Sequence, residues 1–164
     1  MKYTTKYLLP DQEKKILNRI NDSRIEAAVL LALYCGARRG EIMKVRQSDI
    51  DIIPRAVNIA GRTVYITHEQ SERLMRAVQA LHNGFSFDID TPIYSGYNAR
   101  YLSAMVRHWC ACYGLEDMGL REMRHTAVIR LMGQGASMEQ IREWAGYADY
   151  TTAFHIYKSL TIAQ

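Results

Sequence analysis

Three separated stretches of the chain carry residues suited to phosphoryl transfer. They are Cys35-Gly36-Ala37-Arg38-Arg39-Gly40-Glu41, Arg121-Glu122-Met123-Arg124-His125-Thr126, and Trp144-Ala145-Gly146-Tyr147 followed by Thr151-Thr152 and Tyr157. Exchanging phosphodiesters without hydrolysis requires that the bond energy be stored in a covalent link, and a tyrosine hydroxyl stores it as a phosphotyrosyl ester. The pentavalent transition state gathers charge on its non-bridging oxygens. Arginine suits that charge, because its planar fork donates two hydrogen bonds and stays protonated. The leaving oxygen also needs a proton donor, usually a lysine or histidine within reach. Two arginines and one tyrosine on separate helices are what such a reaction needs.

Each piece also has a plain structural reading. Arg38 follows Gly36 by two, at the start of a helix whose free N–H groups favour phosphate; alone, it is a helix end with a solvated basic turn. Arg121 and Arg124 are three apart and share a helix face; alone, they are the exposed side of an ordinary helix. Tyr157 is one of 11 tyrosines, and its neighbours Tyr147 and Tyr150 compete for any role it has.

The ordered set resembles the active site of the tyrosine recombinases, the phage-integrase superfamily. Cys35 to Glu41 is similar to that family's Thr-Gly-Leu-Arg-x-x-Glu segment, with cysteine for threonine and alanine for leucine. The resemblance implies that Arg38 is the first catalytic arginine and Glu41 its supporting acid. Arg124 matches the second arginine of His-x-x-Arg, and His125-Thr126 with the apolar continuation fits the Leu-Arg-His-Thr context. Tyr157, ten residues beyond Tyr147, matches the nucleophile. Three positions depart from the pattern. Arg121 stands where the family has the first histidine, and Tyr147 stands where Leu-Gly-His has its histidine. No lysine occurs between Lys44 and Lys158, so the hairpin that carries the family's general acid has none. Arg62 is the nearest cation there; it can steady a leaving alkoxide but gives up a proton reluctantly. Arg62, Arg39 and His125 are the expected DNA contacts. No cofactor and no metal are expected, since the five histidines lack ligand spacing.

These residues need elements to carry them. Pro10-Asp11 opens a helix through Ile16 and Ile20, and Ser23 caps an apolar helix from Ala27 to Cys35 that Gly36 ends. A short helix from about Arg39 to Val45 follows. Ala56 to Ile59 and Thr63 to Ile66 alternate as a β-hairpin around Gly61-Arg62, and Asp49 to Ile53 offers a third strand. Thr67 to Gln70 and Ser137 to Gln140 are capping boxes, the first opening a helix to Leu81 and the second one to Trp144. Asn83 to Ser95, with Gly84 and Pro92, is the longest irregular segment. Asn98 caps a helix ended by Gly114, and a further helix runs from Arg121 to Met132.

The expected fold is therefore mainly α with a small antiparallel hairpin or three-stranded sheet, an α+β arrangement similar to a tyrosine-recombinase catalytic domain. The chain has 164 residues and a formal net charge of +4, with 48% apolar residues. It suits one domain, residues 1–164, with a substantial core and nucleic acid as a permitted partner. By resemblance it is the catalytic domain without an N-terminal core-binding arm, either a domain cut from a longer recombinase or a naturally short protein similar to fimbrial-switch invertases. No apolar run approaches a membrane span, and the start shows no secretion signal, so a cytoplasmic protein is expected. Cys35, Cys110 and Cys112 read as reduced core thiols. The implied activity is site-specific recombination of double-stranded DNA through a 3′-phosphotyrosyl intermediate, with self-association on DNA and no small-molecule substrate. The alternative is a DNA-binding regulator, either a recombinase fold without cleavage or a helix-turn-helix from Ser137 to Tyr157.

Overall fold

The computed structural model describes residues 5–82 and 88–161. The start of the chain, Met1 to Thr4, and the first part of the irregular segment, with Gly84, lie outside the described residues. Eight α-helices are described: α1 (Pro10–Arg19), α2 (Ser23–Cys35), α3 (Arg39–Ile42), α4 (His68–Leu81), α5 (Ala99–Cys112), α6 (Leu120–Gly133), α7 (Met138–Ala145) and α8 (Thr151–Thr161). The strands β1 (Ile50–Asp51), β2 (Ala56–Ile59) and β3 (Arg62–Tyr65) form one antiparallel sheet in sequence order.

α2 is the axis of the molecule. Ala27 to Leu33 are all buried, so the helix is apolar on every side, and it packs against α6, α4 and α5. Asp22, rather than Ser23, caps it: the carboxylate accepts from the Arg24 N–H at 2.9 Å. Ser23 is the first helical residue, because aspartate one position earlier satisfies the same free donors. Gly36 ends α2 in the left-handed region at φ 61°.

The sheet pairs Val57 with Val64 and Ile59 with Arg62. Its turn is Ala60-Gly61, at φ 48° and 80°, one residue earlier than the alternation indicates. Arg62 thereby becomes a strand residue. Both capping boxes form, Thr67 with Gln70 at 3.0 and 3.1 Å and Ser137 with Gln140 at 2.8 and 3.2 Å. α3 is shorter than expected, and Val45 is buried beyond its end. The described part of the irregular segment is tied down rather than loose. Ile93 N–H donates to the Val45 carbonyl at 2.8 Å, and the buried Tyr94 hydroxyl donates to the Arg24 carbonyl at 2.5 Å.

A second, smaller core gathers Val128, Ile141, Ala145, Ala153 and Ile156 from α6, α7 and α8, with Tyr147 from the turn between the last two. Trp144 packs against both cores, so it joins the α7–α8 unit to the main body. An N-terminal strap crosses α6: the Leu8 N–H donates to Thr126 Oγ1 at 2.9 Å, Lys6 pairs with Asp117, and the Ser159 and Thr5 hydroxyls hydrogen-bond at 2.7 Å. Cys35 and Cys110 are buried, whereas Cys112 is exposed beside His108; two residues along a helix face different sides, which removes Cys112 from the expected core. Among the described residues no helix is long and apolar enough to cross a membrane.

Candidate active site

The C-terminal end of α7 organises the site. A helix leaves its last carbonyls without intrahelical partners and carries partial negative charge there. Here three consecutive carbonyls each accept from a different arginine. Trp144 O takes Arg62 Nε at 2.8 Å, Ala145 O takes Arg124 Nη2 at 2.8 Å, and Gly146 O takes Arg38 Nη2 at 2.9 Å. Residues from β3, α6 and the start of α3 thus converge on one turn of backbone.

Gly146 makes that convergence possible. It sits at φ 66°, and a Cβ there would stand 2.7 Å from Arg62 Nη1. At Gly36, a Cβ would stand 2.4 Å from Cζ3 of Trp144. Both glycines are required by a left-handed backbone and by a close approach.

Tyr147 lies beside both candidate phosphate ligands. Its ring centre is 4.6 Å from the Arg124 guanidinium carbon and 5.9 Å from that of Arg38. Burial pushes the Tyr147 phenol above its ordinary value, against the opposing pull of Arg124 and Arg38. Burial likewise draws the Arg124 guanidinium below its ordinary value; Tyr147 and Glu41 oppose this, while Arg38 and Arg62 add to it. Arg124 Nε is buried and has no hydrogen-bond partner among the described residues, leaving a directed donor unused. The Arg38 side chain is about half exposed.

Glu41 holds the arrangement from below. Its carboxylate accepts from the Arg38 backbone N–H at 2.8 Å and forms a two-pronged pair with Arg62 Nη1 and Nη2, both at 2.9 Å. Burial works to raise its pKa, but Arg62, the Arg38 N–H and Arg124 outweigh it and hold the carboxyl below its usual range.

Above these groups is an open cleft of about 520 Å³. Arg38, Arg39, Arg121, Arg124, His125 and Tyr147 line it, together with Ser103, Arg107 and Thr152. The cleft suits a polyanion, since five guanidinium groups face one concavity. His125 Nδ1 is buried without a hydrogen-bond partner, and burial first, then Arg121, draws the imidazole below its ordinary value. Arg107 reaches the cleft from α5 and stands 3.6 Å from Glu122.

The structure brings together Arg38, Arg39, Arg121, Arg124, His125 and Tyr147, with Glu41 beneath. Arg62 is turned inward instead of facing the cleft. Tyr157 is exposed on α8 and is not among the residues lining the cleft. Thr152 does line it, and five residues along a helix amount to roughly 140° of rotation, so the two side chains of α8 face different ways. Sequence reasoning missed Arg107 and Ser103, which no local motif marks; Thr152 belongs to the Thr151-Thr152 pair of the third stretch but was not assigned a role. Ser103 and Arg107 are four apart beyond an Asn98 cap, so a shared polar helix face was the one available signal.

The family model described as the phage integrase family matches residues 6–163. No curated protein matches the chain. Among solved structures the chain is similar to XerA recombinase, at a TM-score of 0.79 and 21% identity over 99% of this chain and 64% of that one. It is similar to the Tn1549 transposon integrase in complex with transposon right end DNA, at 0.77 and 17% over 94% and 62%. It is also similar to XerH site-specific recombinase bound to difH substrate in a pre-cleavage complex, at 0.74 and 18% over 93% and 50%. The chain spans less than two thirds of the length of each of these structures. At these identities the likeness is one of fold.

Proposed function

The chain belongs to the phage integrase family, and on that premise we propose that it is a site-specific DNA recombinase in which Arg38 and Arg124 bind the scissile phosphate and Tyr157 attacks it. The observation that carries this reading is the pair of arginines fixed on the successive carbonyls of Gly146 and Ala145, both close to the Tyr147 ring and at a cleft lined by arginines. Guanidinium groups held by their backs to carbonyls keep their remaining N–H donors for the equatorial oxygens of a phosphodiester. The Tyr157 oxygen bonds to phosphorus as the P–O5′ bond breaks, giving a 3′-phosphotyrosyl ester and a free 5′-hydroxyl. The proton lost from the phenol is balanced by the one the 5′-oxygen acquires. Attack by another 5′-hydroxyl reverses the step and joins a new strand. Glu41 orients Arg38 through its backbone N–H, and Arg39, Arg121 and His125 meet neighbouring phosphates.

Residues 1–164 act as one catalytic domain in this reading, with double-stranded DNA as substrate and the cytoplasm as its place of action. The position of Tyr157 adds a requirement. Because Thr152 rather than Tyr157 lines the cleft, α8 either turns on binding DNA or presents its tyrosine to the cleft of another copy, and self-association on DNA follows in the second case. The TM-scores with XerH bound to difH and with the Tn1549 integrase on transposon DNA support the DNA-bound reading.

The test uses duplex DNA from a randomised library with 5′-bridging phosphorothiolates, whose thiolate leaving group needs no general acid. A denaturation-resistant protein–DNA adduct that disappears in Tyr157→Phe, with non-covalent binding kept, is expected. Adduct retained in Tyr157→Phe moves the nucleophile elsewhere. A second reading, a recombinase fold that binds DNA without cleaving it, is favoured by the hairpin's lack of lysine and the inward turn of Arg62; binding with no adduct on any duplex selects it.

A further inference from the structure

We infer that Arg62 is a positioning residue that holds the phosphate-binding arginines in register, and that it contributes neither the general acid of the hairpin nor a phosphate contact. The inference rests on the recombinase reading. Four of its five N–H donors are engaged within the protein: Nε on Trp144 O at 2.8 Å, Nη1 on Glu41 Oε1 at 2.9 Å and on Ile59 O at 3.4 Å, and Nη2 on Glu41 Oε2 at 2.9 Å. Its side chain is 13% exposed and that of Glu41 12%. A guanidinium so enclosed has little left to offer DNA, and its delocalised charge does not release a proton to a leaving oxygen.

What Arg62 touches matters for chemistry. One edge holds the first of the three α7 carbonyls, whose two successors hold Arg124 and Arg38. Its other edge holds Glu41, which in turn fixes the Arg38 backbone N–H at 2.8 Å. Arg62 thus ties the hairpin to both arginines through two independent routes, one along the α7 terminus and one through the carboxylate. Lysine at this position, a point donor on a flexible stem, cannot reproduce the planar fork that pairs both Glu41 oxygens while Nε holds Trp144 O.

The experiment compares wild type, Arg62→Gln and Arg62→Lys, each held well below its melting temperature, on matched duplexes with 5′-oxygen and 5′-phosphorothiolate leaving groups. A positioning role lowers the single-turnover rate of adduct formation in both variants, on the order of tenfold to a hundredfold, by the same factor on both substrates. Arg62→Gln combined with Arg38→Ala then costs less than the product of the two single losses. A loss confined to the oxygen substrate makes Arg62 a proton donor and overturns the inference. Unchanged rates with only a lowered melting temperature reduce it to a fold support and also overturn it, as does full activity in Arg62→Lys, which shows that charge alone suffices. Should wild type form no adduct on either substrate, the recombinase reading fails, and DNA affinity against salt decides the rest. Arg62→Gln keeps the wild-type slope if Arg62 makes no phosphate contact, whereas a slope reduced by about one overturns the inference.

Discussion

The Arg124 guanidinium lies over the face of the Tyr147 ring at 4.6 Å while its Nη2 donates to the carbonyl two residues before that tyrosine. Stacking and hydrogen bonding therefore act on the same cation from the same turn of backbone. Tyr147 stands where the family's pattern has histidine, and what it supplies here is a π-face. Tyr147→Phe keeps the face and should leave folding stability within about 1 kcal/mol of wild type. Tyr147→Ala removes the face and empties part of the second core, with an expected loss of about 3–5 kcal/mol. Urea unfolding of the three proteins measures the difference, and equal losses in the two variants would show that the hydroxyl, not the ring, is what matters.

Gly36→Ala should destabilise the protein far more than Gly61→Ala, although both sites have positive φ. A Cβ at Gly61 meets nothing within 4 Å, while one at Gly36 stands 2.4 Å from the Trp144 ring. The first change costs only backbone strain, about 1–2 kcal/mol; the second adds displacement of the residue that joins the two cores. Thermal unfolding reads both, and similar melting temperatures would mean that Trp144 yields without cost.

The Glu41 carboxyl is held below its usual range, so the folded state binds that proton less readily than the unfolded chain. Its stabilising contribution is fully present above about pH 4.5, the ordinary carboxylate value. It is lost as pH falls through the lower folded value. Glu41→Gln should be less stable than wild type by about 3 kcal/mol near neutrality, because Arg62 then lies buried without a counter-charge. The gap should narrow on acidification to about pH 3. Denaturant unfolding across that range tests the sign: a gap that widens in acid would contradict the pairing.

Thiol chemistry offers an independent check of the fold. Burial pushes Cys35 up to about 12 and Cys110 up to about 11, whereas Cys112 is exposed. A thiolate-directed alkylating reagent should label Cys112 rapidly in native protein and the other two only on unfolding. Mass-spectrometric mapping of the modified peptides decides it, and rapid native labelling of Cys35 would place the α2 terminus at the surface.

The helical frame was legible because its signals are local. Capping boxes, the Asn98 cap, and the glycines after α2 and α7 all act within one turn of the residues they govern. The sheet was legible from alternation, but its turn was displaced by one residue because Ala60 adopts a positive φ that its type does not announce. That small shift moved Arg62 from an exposed turn into a strand. Its inward direction then followed from Glu41, a partner 21 residues away, and no local pattern encodes such a pairing. Cys112 was misread for a simpler reason: helix periodicity places it opposite Cys110, and composition alone does not say which side faces water. The cleft was legible only where a motif covers it. Thr152 belongs to the Thr151-Thr152 motif, whereas Arg107 and Ser103 arrive through the packing of α5, a relationship fixed by the tertiary core.

The hydroxyl contact between Thr5 and Ser159 links two parts of the chain 154 residues apart. Ser159 lies two positions beyond Tyr157 on the same helix, and Thr5 lies on the strap that crosses α6. A disturbance of the strap would therefore be felt both at α6, through Leu8 and Thr126, and at α8, through this pair of side-chain oxygens.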